Sequence, residues 1–176
     1  MKKYKQFTYS ILISFLLIGI ARGQEAKVYE NGYLVRVGDE APDFKIKESG
    51  GKEYMLSDLR GKVVMLQFTA SWCSVCRKEM PFIEKEIWQA KRDEGLIVIG
   101  IDRDEPLATV EKFSKDIGVT YPLALDPAAD IFGLFAEKKA GVTRNVIIDR
   151  DGKIIFLTRL FERKEFDEMK MRINKN

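Results

Sequence analysis

Residues 63–76 read VVMLQFTASWCSVC, an apolar run that ends in two cysteines three positions apart. The part from 63 to 68 is almost continuously apolar, which is typical of a strand buried on both faces of a sheet. Beyond the cysteines, apolar residues recur every three or four positions, at Met80, Ile83 and Ile87, as on one face of a helix. The stretch therefore predicts a buried strand followed by a C-x-x-C turn that opens a helix.

The rest of the chain alternates between strand and helix patterns. Upstream, two alternating segments at 43–47 and 53–56 flank Ser-Gly-Gly and predict a hairpin. Downstream, the predicted elements are a strand at 96–101, helices at 106–117 and 131–135, a strand at 121–125, a hairpin of 146–148 with 153–158, and a helix at 163–173. This order predicts an α/β domain with a central mixed β-sheet flanked by helices.

The cysteine count limits what the C-x-x-C motif can do. The chain has 176 residues, two cysteines and no histidine, so it cannot supply the four sulfur or nitrogen ligands of a zinc site, and we expect no metal. A structural staple would restrain little chain entropy across so small a loop. We favour a redox-active Cys73–Cys76 pair; a staple and a metal site shared between molecules are the alternatives.

The missing histidine also excludes several classes of enzyme. A Ser-His-Asp triad, a Cys-His protease pair and an imidazole general base are all ruled out. The net charge of +3 comes from the first 23 residues, which hold four basic residues and no acidic one. The remainder has 26 basic and 27 acidic residues, so nothing favours a nucleic-acid partner.

Residues 1–23 have the order of a secretory signal peptide. A basic start to Lys5 is followed by a largely apolar run from 7 to 20 and by Ala21-Arg22-Gly23. The run is shorter than the ~20 residues that span a membrane. We predict export to the periplasm; an uncleaved N-terminal anchor in the membrane is the alternative. We further predict a loose segment at 24–36 and one domain at 37–176.

The position of the cysteines predicts their roles. A helix N-terminus lowers the pKa of a thiol through unpaired N–H groups and the helix dipole. Cys73, at the first turn, is expected to be the more exposed and acidic thiol, and Cys76, one turn further in, the shielded one. Cys73 would then attack a substrate disulfide, and Cys76 would resolve the mixed disulfide.

Four segments together resemble a known family, the exported thioredoxin-like thiol–disulfide oxidoreductases of the TlpA/ResA type, within the AhpC/TSA–redoxin superfamily. They are VGDEAPDF at 37–44, LRGKVV at 59–64, FTASWCSVCRKEMP at 68–81 and VIIDRDGKI at 146–154. The resemblance runs from Val37 to about Met171. It implies a thioredoxin fold with an N-terminal β-hairpin and an inserted helix–strand at about 104–126, before the loop opposite the C-x-x-C.

The resemblance also implies an activity and partners. The expected activity is electron exchange between the Cys73/Cys76 dithiol and protein disulfides outside the cytoplasm, with the chain as reductant. No cofactor beyond the redox-active disulfide is expected. Members of the family are kept reduced by a membrane-bound electron donor, and often serve cytochrome c maturation or general disulfide reduction.

The chain departs from the family at the loop opposite the dithiol. Thioredoxin folds place a cis-proline there, and Thr143 occupies that position. A cis bond without proline costs ~2.5–4 kcal/mol, so either strain is stored or the Val142–Thr143 bond is trans and the substrate groove differs; we favour trans. Arg144 resembles a peroxiredoxin arginine and would stabilise the Cys73 thiolate if it lay nearby. A surface arginine paired with an acid is the favoured alternative.

Five further residues around the dithiol are singled out. Trp72 is expected to cover the dithiol and touch substrate, with a packing role as the alternative, and Ser74 and Val75 replace the usual pair between the cysteines. Many thioredoxins carry a buried acid where this chain has Gln67. Glu79 is the nearest acid on the helix and a candidate proton relay, although we favour a surface ion pair for it.

Two other functions stay open at this point. Thr143-Arg144 suggests a thiol-dependent peroxidase of peroxiredoxin-like character, but such enzymes carry Thr or Ser three residues before the reactive cysteine, where this chain has Ala70. The other alternative is a non-catalytic binding domain that keeps a static disulfide.

Overall fold

The computed structural model describes residues 27–176. Their core is a five-stranded sheet. Its strands are β3 (Val64–Thr69), β4 (Ile97–Arg103), β5 (Leu123–Asp126), β6 (Arg144–Ile148) and β7 (Ile154–Leu157). Across the sheet they follow the order β5-β4-β3-β6-β7. β3, β4 and β5 run parallel, whereas β6 and β7 are antiparallel to their neighbours. The predicted mixed sheet is thereby confirmed.

The apolar run at 63–68 forms most of the central strand, β3. All six residues of β3 are buried, because β4 and β6 flank the strand and helices cover both of its faces. The predicted N-terminal hairpin is also present, as β1 (Lys45–Lys47) paired with β2 (Glu53–Met55). It attaches to the β5 edge of the sheet through a bridge between Glu48 and Ala124.

The helix after the cysteines is not regular along its length. It begins as α1 (Ser74–Phe82), continues through a π-helical stretch (Ile83–Trp88) and ends in α2 (Gln89–Lys91). Pro81 lies inside α1, where its ring removes a backbone donor and disturbs the regular hydrogen-bond pattern. The irregular stretch follows directly, while Ile83 and Ile87 stay buried against the sheet.

The other helices pack on both sides of the sheet. They are α3 (Leu107–Ile117), α4 (Asp130–Phe135) and α5 (Arg163–Asn174). α1 meets α3, where Arg77 lies over the Phe113 ring, and α5, where Phe82 packs against Phe166. Phe132 of α4 instead packs on Phe68 of β3. The predicted inserted helix–strand corresponds to α3 and β5.

The N-terminal residues differ in part from expectation. We predicted a loose segment at 24–36, but Tyr33 and Val35 are buried, and the Leu34 amide donates to the Phe135 carbonyl. Two apolar side chains in that short segment gain by covering the sheet side that carries α4. The predicted signal peptide at 1–23 lies outside the described residues. Within residues 27–176 no helix is long and apolar enough to cross a membrane.

Candidate active site

The two cysteines lie where β3 gives way to α1. Cys73 is the N-cap of α1, and its Sγ accepts a hydrogen bond from the Cys76 amide at 3.1 Å. The two residues are joined in a disulfide with their Cα atoms 5.3 Å apart. Cys73 is 7% exposed and Cys76 is fully buried. A thiolate on Cys73 would therefore face the free amides of the first helical turn.

Thr143 closes the site from the other side. Its Oγ1 lies 3.2 Å from Cys73 Sγ and 3.3 Å from Cys76 Sγ. Its carbonyl accepts from the Leu160 amide at 3.2 Å. No peptide bond among the described residues is cis, so Val142–Thr143 is trans, as we favoured. The sequence therefore places a hydroxyl, a group able to donate to a thiolate, against both sulfurs.

Glu79 is buried beneath α1, and the predicted surface ion pair is wrong. Its side chain is 1% exposed, and Oε1 accepts from Asn145 Nδ2 at 2.7 Å. The residue three positions after Cys76 lies on the helix face that meets the sheet, as i,i+3 spacing dictates. Burial raises the pKa of Glu79 to about 7, and the amides of Asn145 and Gln67 partly oppose this rise.

Many thioredoxins carry a buried acid on the strand at the position of Gln67, whereas this chain carries a buried acid, Glu79, on α1. Gln67, on β3, pairs with Asn145 of β6 and accepts a hydrogen bond from Tyr121 Oη at 2.8 Å. Asn145 Nδ2 also donates to Thr158 Oγ1 at 2.9 Å. Glu79 therefore sits in a polar cluster enclosed by apolar core, where its charge state is sensitive to each neighbour.

Arg144 is in neither of the predicted settings. It is fully buried and donates to the carbonyls of Gly141 (3.1 Å) and Asn31 (2.8 Å). Its guanidinium lies 4.4 Å from the centre of the Tyr33 ring. Successive residues of a strand point to opposite faces, so a strand that turns Thr143 towards the sulfurs turns Arg144 away from them.

The surface next to the dithiol is largely open. Trp72 is 62% exposed, Ser74 is exposed and Val75 is half-buried. The backbone before Trp72 is held by Glu105, whose carboxylate accepts from both the amide and the hydroxyl of Ser71. Among residues 27–176 no cluster of three or more metal-ligating side chains occurs.

Comparison with known proteins assigns the family. The family model for AhpC/TSA matches residues 37–157. The chain belongs to the AhpC/TSA family. It is 30% identical over 155 residues to the thiol–disulfide oxidoreductase ResA of Geobacillus thermodenitrificans, covering 88% of this chain and 87% of that protein. It is 34% identical over 121 residues to ResA of Bacillus cereus, covering 69% of this chain and 68% of that protein.

Solved structures agree with this assignment. A solution structure from Bacteroides thetaiotaomicron, described as a candidate protein disulfide isomerase, has a TM-score of 0.80 and 61% identity, covering 82% of this chain and 91% of that one. A candidate thiol:disulfide interchange protein DsbE from Chlorobium tepidum has a TM-score of 0.71 and 28% identity, covering 80% and 97%. The thioredoxin fold and thiol–disulfide oxidoreductase activity predicted from the sequence are confirmed.

Three contributors to the site were missed in the sequence. Asn145, which bonds Glu79, could have been inferred from alternation, since it lies two residues after Thr143 on the same strand face. Glu105 gives no sequence signal, because it bonds Ser71 across 34 positions. Asn31 acts on Arg144 through its backbone carbonyl, which any residue type could supply.

Proposed function

We propose that the chain acts outside the cytoplasm as a reductant of protein disulfides, through the Cys73/Cys76 dithiol. The observation that carries this proposal is the setting of Cys73 Sγ. It caps α1 by accepting the Cys76 amide at 3.1 Å, and it lies 3.2 Å from the Thr143 hydroxyl. Both features stabilise a thiolate, which is the attacking species in thiol–disulfide exchange.

The exchange proceeds in two displacements. The Cys73 thiolate attacks one sulfur of a substrate disulfide, forms a mixed disulfide and releases the other substrate sulfur as a thiolate. The Cys76 thiolate then attacks Cys73 Sγ and releases the second substrate sulfur. Two electrons pass to the substrate, which becomes a dithiol, and the chain ends with the Cys73–Cys76 disulfide. Trp72, Ser74 and Val75 border Cys73, where a substrate peptide would lie.

Glu79 is proposed as the proton relay for the second displacement. Cys76 is fully buried and must lose its proton before it can attack. Glu79 lies one helical turn further along α1, with a pKa that burial raises to about 7. A carboxyl that titrates near neutral pH can accept that proton and return it in the next cycle.

The location and the electron donor rest on the N-terminal sequence and on the family resemblance. Residues 1–23 have the order of an export signal. In the periplasm a dithiol reductant must be re-reduced after each turnover, so we propose a membrane-bound electron donor that reduces Cys73–Cys76. The substrates are proposed to be exported proteins with exposed disulfides; the proposal includes no metal and no cofactor beyond this disulfide.

The decisive experiment measures reduction of a protein disulfide by the pre-reduced chain, with insulin as substrate. Cys73→Ser should abolish reduction, whereas Cys76→Ser should accumulate a mixed disulfide. Equilibration with glutathione buffers should give a reduction potential well below the ~−120 mV of a strong oxidant such as DsbA. Retained activity in Cys73→Ser, or a potential near that value, would contradict the proposal.

A thiol peroxidase is the alternative predicted from Arg144. The guanidinium donates hydrogen bonds to the carbonyls of Gly141 and Asn31. It therefore does not stabilise the Cys73 thiolate directly, as the peroxidase alternative supposes. Formation of sulfenic acid on Cys73 should therefore require millimolar peroxide. Rapid formation at micromolar peroxide would favour the peroxidase instead.

A further inference from the structure

Two adjacent residues at the start of β6 connect the dithiol to a distant part of the chain: Thr143 directly precedes the strand, and Arg144 is its first residue. Thr143 Oγ1 touches both sulfurs, at 3.2 and 3.3 Å. Arg144, on the other sheet face, reaches residues that lie 113 positions earlier, where its Nη2 donates to the Asn31 carbonyl. Only one planar peptide unit separates the two Cα atoms, so whatever fixes Arg144 also restricts where the Thr143 hydroxyl can point.

The burial of Arg144 is costly and needs a reason. Its side chain is fully buried, and it forms no salt bridge with any described residue. A buried guanidinium without a carboxylate partner loses its hydration and regains only part of it. Two carbonyls and the face of the Tyr33 ring offset some of this cost. An apolar residue would pack there without the penalty.

Residues 29–33, called the N-terminal strap here, hold Arg144 through the Asn31 carbonyl and the Tyr33 ring. Asn31 and Gly32 both have left-handed backbone angles, with φ of 58° and 74°, and this turn presents the Asn31 carbonyl. Tyr33 is fastened by a bridge to Ala136 and donates from Oη to the Thr158 carbonyl. A Cβ on Gly32 would lie 3.1 Å from Ala140 Cβ, a tight contact, and the positive φ of this residue also disfavours a side chain.

The loop opposite the dithiol needs such an anchor because of its sequence. A proline at position 143 would fix φ through its ring, whereas a threonine leaves that angle free to vary. We propose that the N-terminal strap positions the Thr143 hydroxyl against the sulfurs by holding Arg144 through the Asn31 carbonyl and the Tyr33 ring. Arg144 is then a positioning residue, and this role rests on the proposed action of Thr143 on the Cys73 thiolate.

A double-mutant cycle tests the proposal. The ionisation of Cys73 in the reduced protein is followed by thiolate absorbance against pH in Thr143→Val, Arg144→Met and the double variant. Each single variant should lower the thiolate fraction at neutral pH at least about tenfold, as expected for loss of one hydrogen bond to a charged group. The double variant should be no lower than Thr143→Val alone, because Arg144 acts through that hydroxyl.

The outcomes separate the two proposals. Additive effects in the double variant would mean that the arginine charge acts on Cys73 directly, which overturns the strap proposal and leaves the role of Thr143 intact. No effect in Thr143→Val would contradict the role of Thr143 in the proposed function, and the strap proposal with it.

A second variant leaves Arg144 in place, in case Arg144→Met fails to fold. Gly32→Val should displace the strap, since the new side chain meets Ala140, and should lower the thiolate fraction several-fold. Gly118→Val is the matched control: its φ of 75° is nearly the same, and a Cβ there meets nothing within 4 Å. Both variants should lose stability, but Gly118→Val should keep the wild-type thiolate fraction. Equal thiolate fractions in the two would overturn the proposal.

Discussion

Two buried carboxyl groups near the dithiol differ in their neighbours. Glu79 is on the face of α1 that meets the sheet, and Asp102 is near the end of β4. Both side chains are almost fully buried. Asn145 donates to Glu79, whereas neither oxygen of Asp102 has a hydrogen-bond partner among the described residues. Burial raises both pKa values, that of Glu79 to about 7 and that of Asp102 to about 8.

The comparison shows how neighbouring groups give two buried carboxyls different pKa values. Amide donors favour the charged form of Glu79 and bring its pKa down to the range where a proton is exchanged readily. Asp102 has no such donor, and the negative charge of Glu105 raises its pKa further after burial has done so. At neutral pH, Asp102 is mainly protonated and Glu79 is close to half protonated. Only Glu79 is therefore suited to a relay.

The largest expected effect is on stability, from Asp102→Asn. The unfolded chain releases the Asp102 proton near pH 4, but the folded chain keeps it up to about pH 8. The contribution of Asp102 to stability is therefore greatest below pH 4 and falls as the pH rises towards 8. The variant should gain at least about 2 kcal/mol at pH 8 relative to wild type, measured by urea unfolding at pH 5 and pH 8. An equal gain at both values would contradict the assignment.

The next effect is on rate, from Glu79→Gln. The variant cannot take the proton of Cys76, so insulin reduction at pH 7 should slow at least about tenfold, where a positioned acid or base typically contributes ~10²–10⁴-fold. The pH–rate profile should also lose its inflection near 7. Asp102→Asn is the matched control and should keep that inflection. A profile unchanged by Glu79→Gln would remove Glu79 from the mechanism.

Asn145→Ala should move the inflection near pH 7 in the pH–rate profile to a higher pH. It removes the hydrogen bond at 2.7 Å that favours the charged carboxylate, so the inflection should rise by about one pH unit. Thr158→Val keeps Asn145 and removes only its second partner, and should shift the inflection less. A downward shift in Asn145→Ala would contradict the proposed electrostatics.

The smallest effect is expected from Glu105→Gln. Glu105 accepts two hydrogen bonds from Ser71, and glutamine can keep one of them without charge. The loss should be about 1 kcal/mol of unfolding free energy. The variant also removes the charge beside Asp102, so the pH dependence of stability should become shallower. An unchanged or steeper dependence would show that Glu105 does not repel Asp102.

Local patterns in the sequence predicted the structure most accurately. The continuous run at 63–68 and the alternation at 43–47 and 53–56 predicted their strands because a strand's burial repeats along its own residues. Cys73 and Cys76 were identified in the same way, since spacing and helix onset are local properties. The surface ion pair favoured for Glu79 and both settings considered for Arg144 were wrong, because a charged residue gives no local sign of which carbonyl or amide will meet it.

What the sequence alone determined is the order of elements and the dithiol at the start of α1, with a hydroxyl-bearing residue where the fold usually has proline. The tertiary structure decided which side chains gather around that dithiol. Asn145 reaches Glu79 across 66 positions and Asn31 reaches Arg144 across 113. The physical reason is that burial and hydrogen-bond partners, which set the charge state of a group, depend on residues brought together only when the chain packs.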